Sequence, residues 1–233
     1  MGLGLTVGMQ HAFEPDHIAA VSTQISKSTF SQKSIIQTLK ESFTKSSVIG
    51  VLWGAGHTTT LVLIGFLVYV LAISIQNQIF SGLEFAVGIM LTFLGMTTIL
   101  NKKFRLRHRH PHQHKDGTIH FDEHSHSDSE HDHNHRSYYI GLVHGLAGSG
   151  SLVVFTAATL DNVGMVLGFI GIFGIGSIIG MIMVGSLMGI PLVFSNKIKT
   201  IQKAFRYASG AFSLIIGTNI MFQIGISGHL FGL

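Results

Sequence analysis

The chain has 233 residues, of which 46% are hydrophobic and only 11% are charged, and its net charge is +4. Charged residues make up about a quarter of an ordinary soluble domain, so this composition excludes one. The chain contains no cysteine. That absence excludes a disulfide framework and thiol redox chemistry, and with them a membrane electron carrier of the thiol type.

Six apolar segments are long enough to cross a bilayer, whose core requires about 20 mostly apolar residues per helix. They predict an all-α, polytopic membrane protein with transmembrane helices at residues 2–25, 47–75, 82–100, 138–160, 163–194 and 206–226. We predict one tilted helix for each of the two longest segments, because neither has a charge or a turn cluster in its middle. The N-terminal segment lacks a preceding basic region and is therefore not expected to be a cleaved signal peptide.

Two polar segments separate some of these helices. Residues 26–46 are predicted to form, in part, an amphipathic surface helix. Residues 101–137 contain ten of the fifteen histidines mixed with acidic residues, a bias typical of a disordered loop. We interpret this His-rich loop as an auxiliary metal-capture segment. The alternatives are a neutral spacer or a purification tag, although the histidines are internal and interspersed. The candidate ligands are His108, His110, His112, His114, His120, His124, His126, His131, His133 and His135.

The positions of the basic residues indicate the orientation of the chain. All fifteen lysines and arginines lie between predicted helices 1 and 2, 3 and 4, or 5 and 6. With six helices these three connections share one face, and the positive-inside rule assigns that face to the cytoplasm. We therefore expect an inner- or plasma-membrane protein with both termini outside and the His-rich loop in the cytoplasm. This distribution explains the basic charge without a nucleic-acid partner.

The two halves of the chain resemble each other and predict an internal duplication. Three pairs of stretches match in order: Gly8-x-x-His11 with Gly141-x-x-His144, WGAGHTTTLVLIG (53–65) with FGIGSIIGMIMVG (173–185), and FAVGIMLTFLG (85–95) with YASGAFSLIIG (207–217). Three helices per half is an odd number, so the second half enters the membrane inverted. Inverted repeats are typical of secondary transporters, which bind substrate near the midplane between the halves. We predict a 3+3 inverted repeat, with units at 1–100 and 138–233 separated by the loop at 101–137.

The heptad HAFEPDH at residues 11–17 places ionisable groups inside the first apolar segment. Such groups are costly in a bilayer and mark functional sites by default. Imidazole and carboxylate are good ligands for divalent nickel, cobalt and zinc. His57 lies about ten residues into the second helix, as His11 does into the first from the opposite face, so both should be ~15 Å deep. The alternative is an interhelical hydrogen-bond network without a metal.

Pro15 predicts a break in the first helix. Proline has no N–H to bond the carbonyl of His11, and it disfavours helical geometry at Glu14. On an unbroken helix Asp16 would lie about 140° from His11 and could not share its ligand face. A break near the midplane removes that restriction and is typical of the ion sites of transporters. A simple packing kink is the alternative.

The heptad resembles the signature of the nickel/cobalt permease family, in which a helix carries His-Ala-x-Asp-Ala-Asp-His. His11, Asp16 and His17 match the residues that select the metal in that family, Glu14 replaces its usual Asp, and Pro15 replaces its usual Ala. LWGAGHTTTL resembles the family's second stretch, which implies that His57 is a ligand. GLVHGLAGSGSL resembles a stretch of the small urease-accessory-type branch.

The resemblance implies a non-enzymatic permease that takes up nickel or cobalt, with zinc as a further candidate cargo. It implies a metal site of His11, Asp16, His17 and His57, with Glu14 as a ligand or an orienting group. His144 is a candidate metal ligand or gate on the inner side. No prosthetic group is expected, and cytoplasmic nickel chaperones are candidate partners. Two functions remain as alternatives: efflux of the same metals, and a membrane-anchored metal sensor or metallochaperone.

Overall fold

The computed structural model describes residues 2–28, 34–69, 77–101, 112–113, 119–120, 132–146, 162–195 and 199–228. Its helices are α1 (Gly2–His11), α2 (Pro15–Ile25), α3 (Ile35–Tyr69), α4 (Asn77–Ile99), α5 (Asp132–Gly145), α6 (Val163–Ser195) and α7 (Lys199–Phe222). A π-helical turn at Gln223–Ser227 follows α7. Two short strands, β1 (His112–Gln113) and β2 (Ile119–His120), pair antiparallel within the His-rich loop.

The prediction of a helical membrane protein is confirmed, but four of the described helices, rather than six, qualify as candidate spans. They contain the spans Ile35–Val68, Gln78–Ile99, Val163–Phe194 and Thr200–Ile226. The first predicted helix does not qualify because it is divided into α1 and α2, of ten and eleven residues. The fourth is described only as far as Leu146, and its remainder lies outside the described residues.

Three predicted boundaries differ from the structure. The expected surface helix is not separate, because residues 35–46 form the first turns of α3. Helix α5 begins at Asp132, inside the segment expected to be disordered; the rest of that prediction lies mostly outside the described residues. The fifth predicted helix is confirmed as a single helix, α6, which continues through Pro191 to Ser195.

Helix α3 extends beyond its apolar part because its polar first turns have a partner. The Ser42 hydroxyl donates a hydrogen bond of 2.8 Å to the Gly189 carbonyl of α6, and the hydroxyls of Ser47 and Ser186 lie 3.1 Å apart. Thirty-five residues of α-helix span about 52 Å, well above the ~30 Å of a bilayer core. The polar turns therefore stand outside the hydrocarbon while they remain packed on α6.

Close backbone contacts at glycines hold the helices together. A side chain at Gly50 would meet the backbone of Met181, one at Gly54 would meet Ile178, and one at Gly174 would meet Thr58. Residue numbers rise along α3 as they fall along α6, so these two helices are antiparallel. Small residues allow such approach in membranes, where packing rather than hydrophobicity drives helix association.

The other helix pairs follow the same principle. Helices α4 and α7 are antiparallel, because Gly88 lies against Gly217 and Gly95 lies against Gly210. Helix α1 is parallel to α6, and α5 is parallel to α3. In those pairs a side chain at Gly8 would meet the Phe173 carbonyl, and one at Gly141 would meet the Trp53 carbonyl. The glycines therefore fix the positions of α1 and α5, which carry His11 and His144.

The glycine contacts predict that Gly8→Ala destabilises the protein, whereas Gly171→Ala does not. An added Cβ at Gly8 overlaps the Phe173 carbonyl, while the space around Gly171 of α6 is open. Overpacking of this kind costs about 1–3 kcal/mol. Thermal unfolding of the two variants in detergent measures the difference. Equal melting temperatures for both variants would contradict the close approach of α1 and α6.

Candidate metal centre

A break in the backbone separates α1 from α2. Helix α1 ends at His11, Glu14 has extended backbone geometry (φ −61°, ψ 145°), and Pro15 is the first residue of α2. The Glu14 amide donates to the His11 carbonyl at 3.0 Å, and the Ile18 amide donates to the Glu14 carbonyl at 3.0 Å. The break predicted from Pro15 is thus confirmed, and it leaves the whole heptad at the junction of two half-helices.

Three buried histidines meet at this junction. The ring centroid of His11 lies 4.3 Å from that of His17 and 5.2 Å from that of His57, and the His17 and His57 rings are 5.3 Å apart. One nitrogen of each ring lies within 4.8 Å of the others. We call this group, His11, His17 and His57, the first trio. It combines a residue from each half-helix with one from α3.

Two carboxylates of the heptad orient these rings. A Glu14 oxygen lies 2.8 Å from Nδ1 of His11. One Asp16 oxygen lies 2.9 Å from Nδ1 of His17, and the other lies 2.9 Å from Nε2 of His144 on α5. A carboxylate that accepts one N–H of an imidazole leaves the lone pair on the other ring nitrogen. The carboxylates therefore determine which nitrogens can act as ligands.

The remaining ring nitrogens are buried and have no hydrogen-bond partner among the residues that the structure describes. They are Nε2 of His11, Nε2 of His17, both nitrogens of His57 and Nδ1 of His144. An unsatisfied buried polar group costs about 1–3 kcal/mol, so several together need an explanation. Imidazole lone pairs that converge in a buried site fit a divalent transition metal such as nickel, cobalt or zinc.

Trp53 forms one wall of the site and was not among the residues predicted from the sequence. Its indole stacks on His57 with an interplanar angle of 11° and a centroid distance of 5.2 Å, and it also contacts His17 and His144. Trp53 lies four residues before His57, one helical turn away, and this spacing could have indicated the contact. The indole covers one side of the histidine group.

The structure does not group all of the predicted ligands. Asp16 groups with His17 and His144 rather than with His11 and His57. Glu14 contacts His11 and is half-exposed. Of the loop histidines, His112 and His120 are opposite each other in the backbone register of the β1–β2 pair. His133 and His135 lie in the first turn of α5, and the other six lie outside the described residues.

The structure combines a bundle of apolar helices with a buried histidine group at a broken helix. These two features define the class of the protein: a helical membrane protein with a centre suited to a transition-metal cation. Residues 1–162 match the family model described as "High-affinity nickel-transport protein" (NicO). The chain belongs to this family of nickel-transport proteins. It is also 34% identical over 231 residues to the urease accessory protein UreH of Bacillus sp. (strain TB-90), covering 99% of this chain and 94% of the relative. No solved structure matches the chain.

These matches confirm the resemblance carried by the heptad, including the urease-accessory-type branch. Family membership makes the chain a transmembrane transporter of nickel or cobalt rather than an enzyme. It does not favour the efflux or sensor alternatives, and it leaves the ligand set to be argued from the geometry.

The geometry predicts that Asp16→Asn weakens nickel binding. His17 and His144 face different oxygens of Asp16, and asparagine replaces one of these oxygens by an NH₂ donor, so one of the two N–H groups loses its acceptor. Loss of a group that orients a metal-binding histidine lowers metal affinity about 10- to 100-fold. The affinity is measured by competition with a chelator. The measurement uses a chain in which the ten loop histidines are replaced by asparagine, and we call this chain the loop-substituted chain.

The control for this prediction is Glu41→Gln in the same loop-substituted chain. This change removes a carboxylate that pairs with Lys45 on the polar turns of α3, away from the heptad. Its nickel affinity should match that of the unaltered loop-substituted chain. An Asp16→Asn chain with the same affinity as the control would show that Asp16 does not orient the centre.

Proposed function

We propose that the chain is an uptake permease for nickel, and also for cobalt, which binds the cation at the first trio. Zinc is compatible with the same donors. The observation that carries this proposal is the set of buried ring nitrogens in His11, His17 and His57 that have no partner within the described ranges. Asp16 and Glu14 act by orienting the rings of His17 and His11. The first trio contains no anionic ligand, so it would bind the dication through imidazole nitrogens alone.

We further propose the 3+3 inverted repeat, with units 1–100 and 138–233. Its support is that a contact between two residues recurs between the residues that match them in the other half. Gly8 lies against Phe173, and the matching Gly141 lies against the matching Trp53. Likewise, the contact of Gly54 with Ile178 has its counterpart in the contact of Gly174 with Thr58. The contact of Gly88 with Gly217 has its counterpart in the contact of Gly210 with Gly95. A two-fold axis that relates α3 to the antiparallel α6 is perpendicular to both helices, and so lies in the membrane plane.

The helix ends support the same proposal. Helix α1 ends at His11, and α5 ends at Gly145, one residue after the matching His144. Each half thus begins with a short helix that stops at the centre. Half-helices that meet near the midplane, at the interface of inverted repeats, are the usual binding place in secondary transporters. Rocking of the two halves about this place would open the first trio to each side in turn.

The membrane potential is sufficient to drive uptake. The chain carries no nucleotide-binding motif. Two positive charges moving inward gain about 4.6 kcal/mol at 100 mV, at ~2.3 kcal/mol per charge. Export against the same potential would require a coupled counter-ion. Inward movement therefore needs only the site and the conformational change.

On the cytoplasmic side, the His-rich loop receives the cation in this proposal. The loop would lower the free concentration of the released ion and pass it to cytoplasmic nickel chaperones. The relative described as a urease accessory protein is compatible with delivery to such partners. The same assignment puts both termini outside an inner or plasma membrane, as the three basic connections indicate.

The uptake proposal predicts that cells expressing the wild-type chain accumulate more nickel than cells expressing His57→Ala. Removal of one of three ligands should lower the initial uptake rate at least about 10-fold. Ser177→Ala is the matched control, because Ser177 is also buried and holds the position of His57 in the second half. Lower cell-associated nickel in wild type than in His57→Ala would show that transport is outward.

The topology predicts which sites a membrane-impermeant maleimide reaches. The native chain has no cysteine, so a single introduced cysteine is the only reactive thiol. Gln78→Cys should react in intact cells, whereas Ser34→Cys and Ser127→Cys should react only after permeabilisation. Reaction of all three in intact cells would contradict the inverted repeat and the cytoplasmic loop.

A further inference from the structure

A second group of potential ligands adjoins the first trio and comprises Asp16, His17 and His144. Its ligand atoms lie within 4.8 Å of one another. The Asp16 carboxylate is 2.9 Å from Nδ1 of His17 and 2.9 Å from Nε2 of His144. Both rings are almost completely buried, while about a quarter of the Asp16 side chain is exposed. We call this group the second trio.

His17 belongs to both trios and stands between them. Its ring centroid lies 4.3 Å from that of His11 and 4.6 Å from that of His144, and its plane is nearly perpendicular to both rings. Its Nδ1 faces Asp16, whereas its Nε2 is buried without a partner. The two nitrogens of one ring are therefore available to two different ligand groups.

The chemistry of imidazole prevents simultaneous use of these two nitrogens. A neutral imidazole carries one N–H and one lone pair. With the proton on Nδ1, donated to Asp16, the lone pair of Nε2 serves the first trio. With the proton on Nε2, the lone pair of Nδ1 serves the second trio. His144 changes in the same way, since its unpartnered Nδ1 can hold the proton when Nε2 becomes a ligand. Each ring keeps one proton, so the net charge is unchanged.

We propose that the second trio is a second position for the transported cation, which one ion occupies in alternation with the first trio. This inference rests on the proposed function, because it concerns the path of the same cargo. The first trio comes from α1, α2 and α3, all in the first half. The second trio adds His144 of α5, which belongs to the second half. Movement from one trio to the other therefore transfers the ion from a site within one half to a site between the halves.

The two positions also differ in charge. The first trio offers three imidazoles, while the second offers two imidazoles and a carboxylate. Asp16 thus has two successive tasks: it orients His17 while the ion is in the first trio, and it becomes a ligand when the ion moves. About a quarter of the Asp16 side chain is exposed, whereas His11, His17 and His57 are all buried, so only the second position includes a ligand that is not fully enclosed.

His144→Gln separates this proposal from a structural role of His144. Glutamine can keep an N–H donor close to the place of Nε2, so the hydrogen bond to Asp16 is retained, but an amide is a poor ligand for nickel. If His144 only holds Asp16, His144→Gln should transport normally. If His144 is a ligand of the second position, the variant should bind nickel and fail to pass it on.

The experiment compares nickel binding and nickel transport in the loop-substituted chain. We expect one nickel ion bound per chain in both the unaltered protein and His144→Gln. In proteoliposomes with an inside-negative potential, the initial transport rate of His144→Gln should fall about 10-fold or more, a loss on the scale reported for groups that support a metal site. His229→Gln, the same substitution in the C-terminal tail, should match the unaltered protein.

Three results would overturn the second position while the first trio stands. They are normal transport by His144→Gln, loss of nickel binding in that variant, or two nickel ions bound per chain without the loop histidines. Failure of the proposed function has a different signature, because His57→Ala would then bind and transport nickel normally whatever His144→Gln does. X-ray absorption at the nickel edge adds a further readout: a mixture of nitrogen-only and nitrogen-plus-carboxylate surroundings should become nitrogen-only in His144→Gln.

Discussion

The missing amide hydrogen of Pro15 is the constraint on which the centre depends. Because residue 15 cannot donate to the His11 carbonyl, α1 ends at His11 and a new helix starts at Pro15. The two ends bring the His11 and His17 rings together, with centroids 4.3 Å apart and planes nearly perpendicular. The extended geometry of Glu14 turns the following residues toward α5. An uninterrupted helix would instead direct Asp16 about 140° away from His11, so that the two side chains could not lie on the same face.

Around that break, glycine determines how close the rest of the molecule can come. The centre is assembled from four helices, and three of its four histidines lie next to glycines at close helix contacts: Gly8 near His11, Gly56 beside His57, and Gly141 and Gly145 on either side of His144. Backbone carbonyls occupy the space that a Cβ would take. Close packing at these glycines therefore sets the positions of the helices that carry His11, His57 and His144. The outward surface of the bundle consists of large apolar side chains and is compatible with lipid.

The sequence predicted the features that depend on local chemistry. Pro15, four residues after His11, predicted the break. The depths of His11 and His57, each counted from the start of its own helix on opposite faces, suggested that the two residues could meet. It missed the extension of α3, because an amphipathic surface helix and the first turns of a longer helix have the same periodicity and no glycine or proline separates them. It also grouped Asp16 with His11 and His57. The contact of Asp16 with His144 depends on how α5 packs on α3, and the sequence of the heptad does not indicate that packing.

The stacking of Trp53 on His57 has a spectroscopic consequence. Trp53 is the only tryptophan of the chain. All tryptophan emission therefore originates from a single indole that is stacked on a ring of the first trio, with centroids 5.2 Å apart. Paramagnetic or open-shell dications quench indole emission at short range, while a filled-shell ion such as zinc does so weakly. The native protein thus contains its own optical reporter, which distinguishes an ion held in the membrane from one held by the loop without any added label.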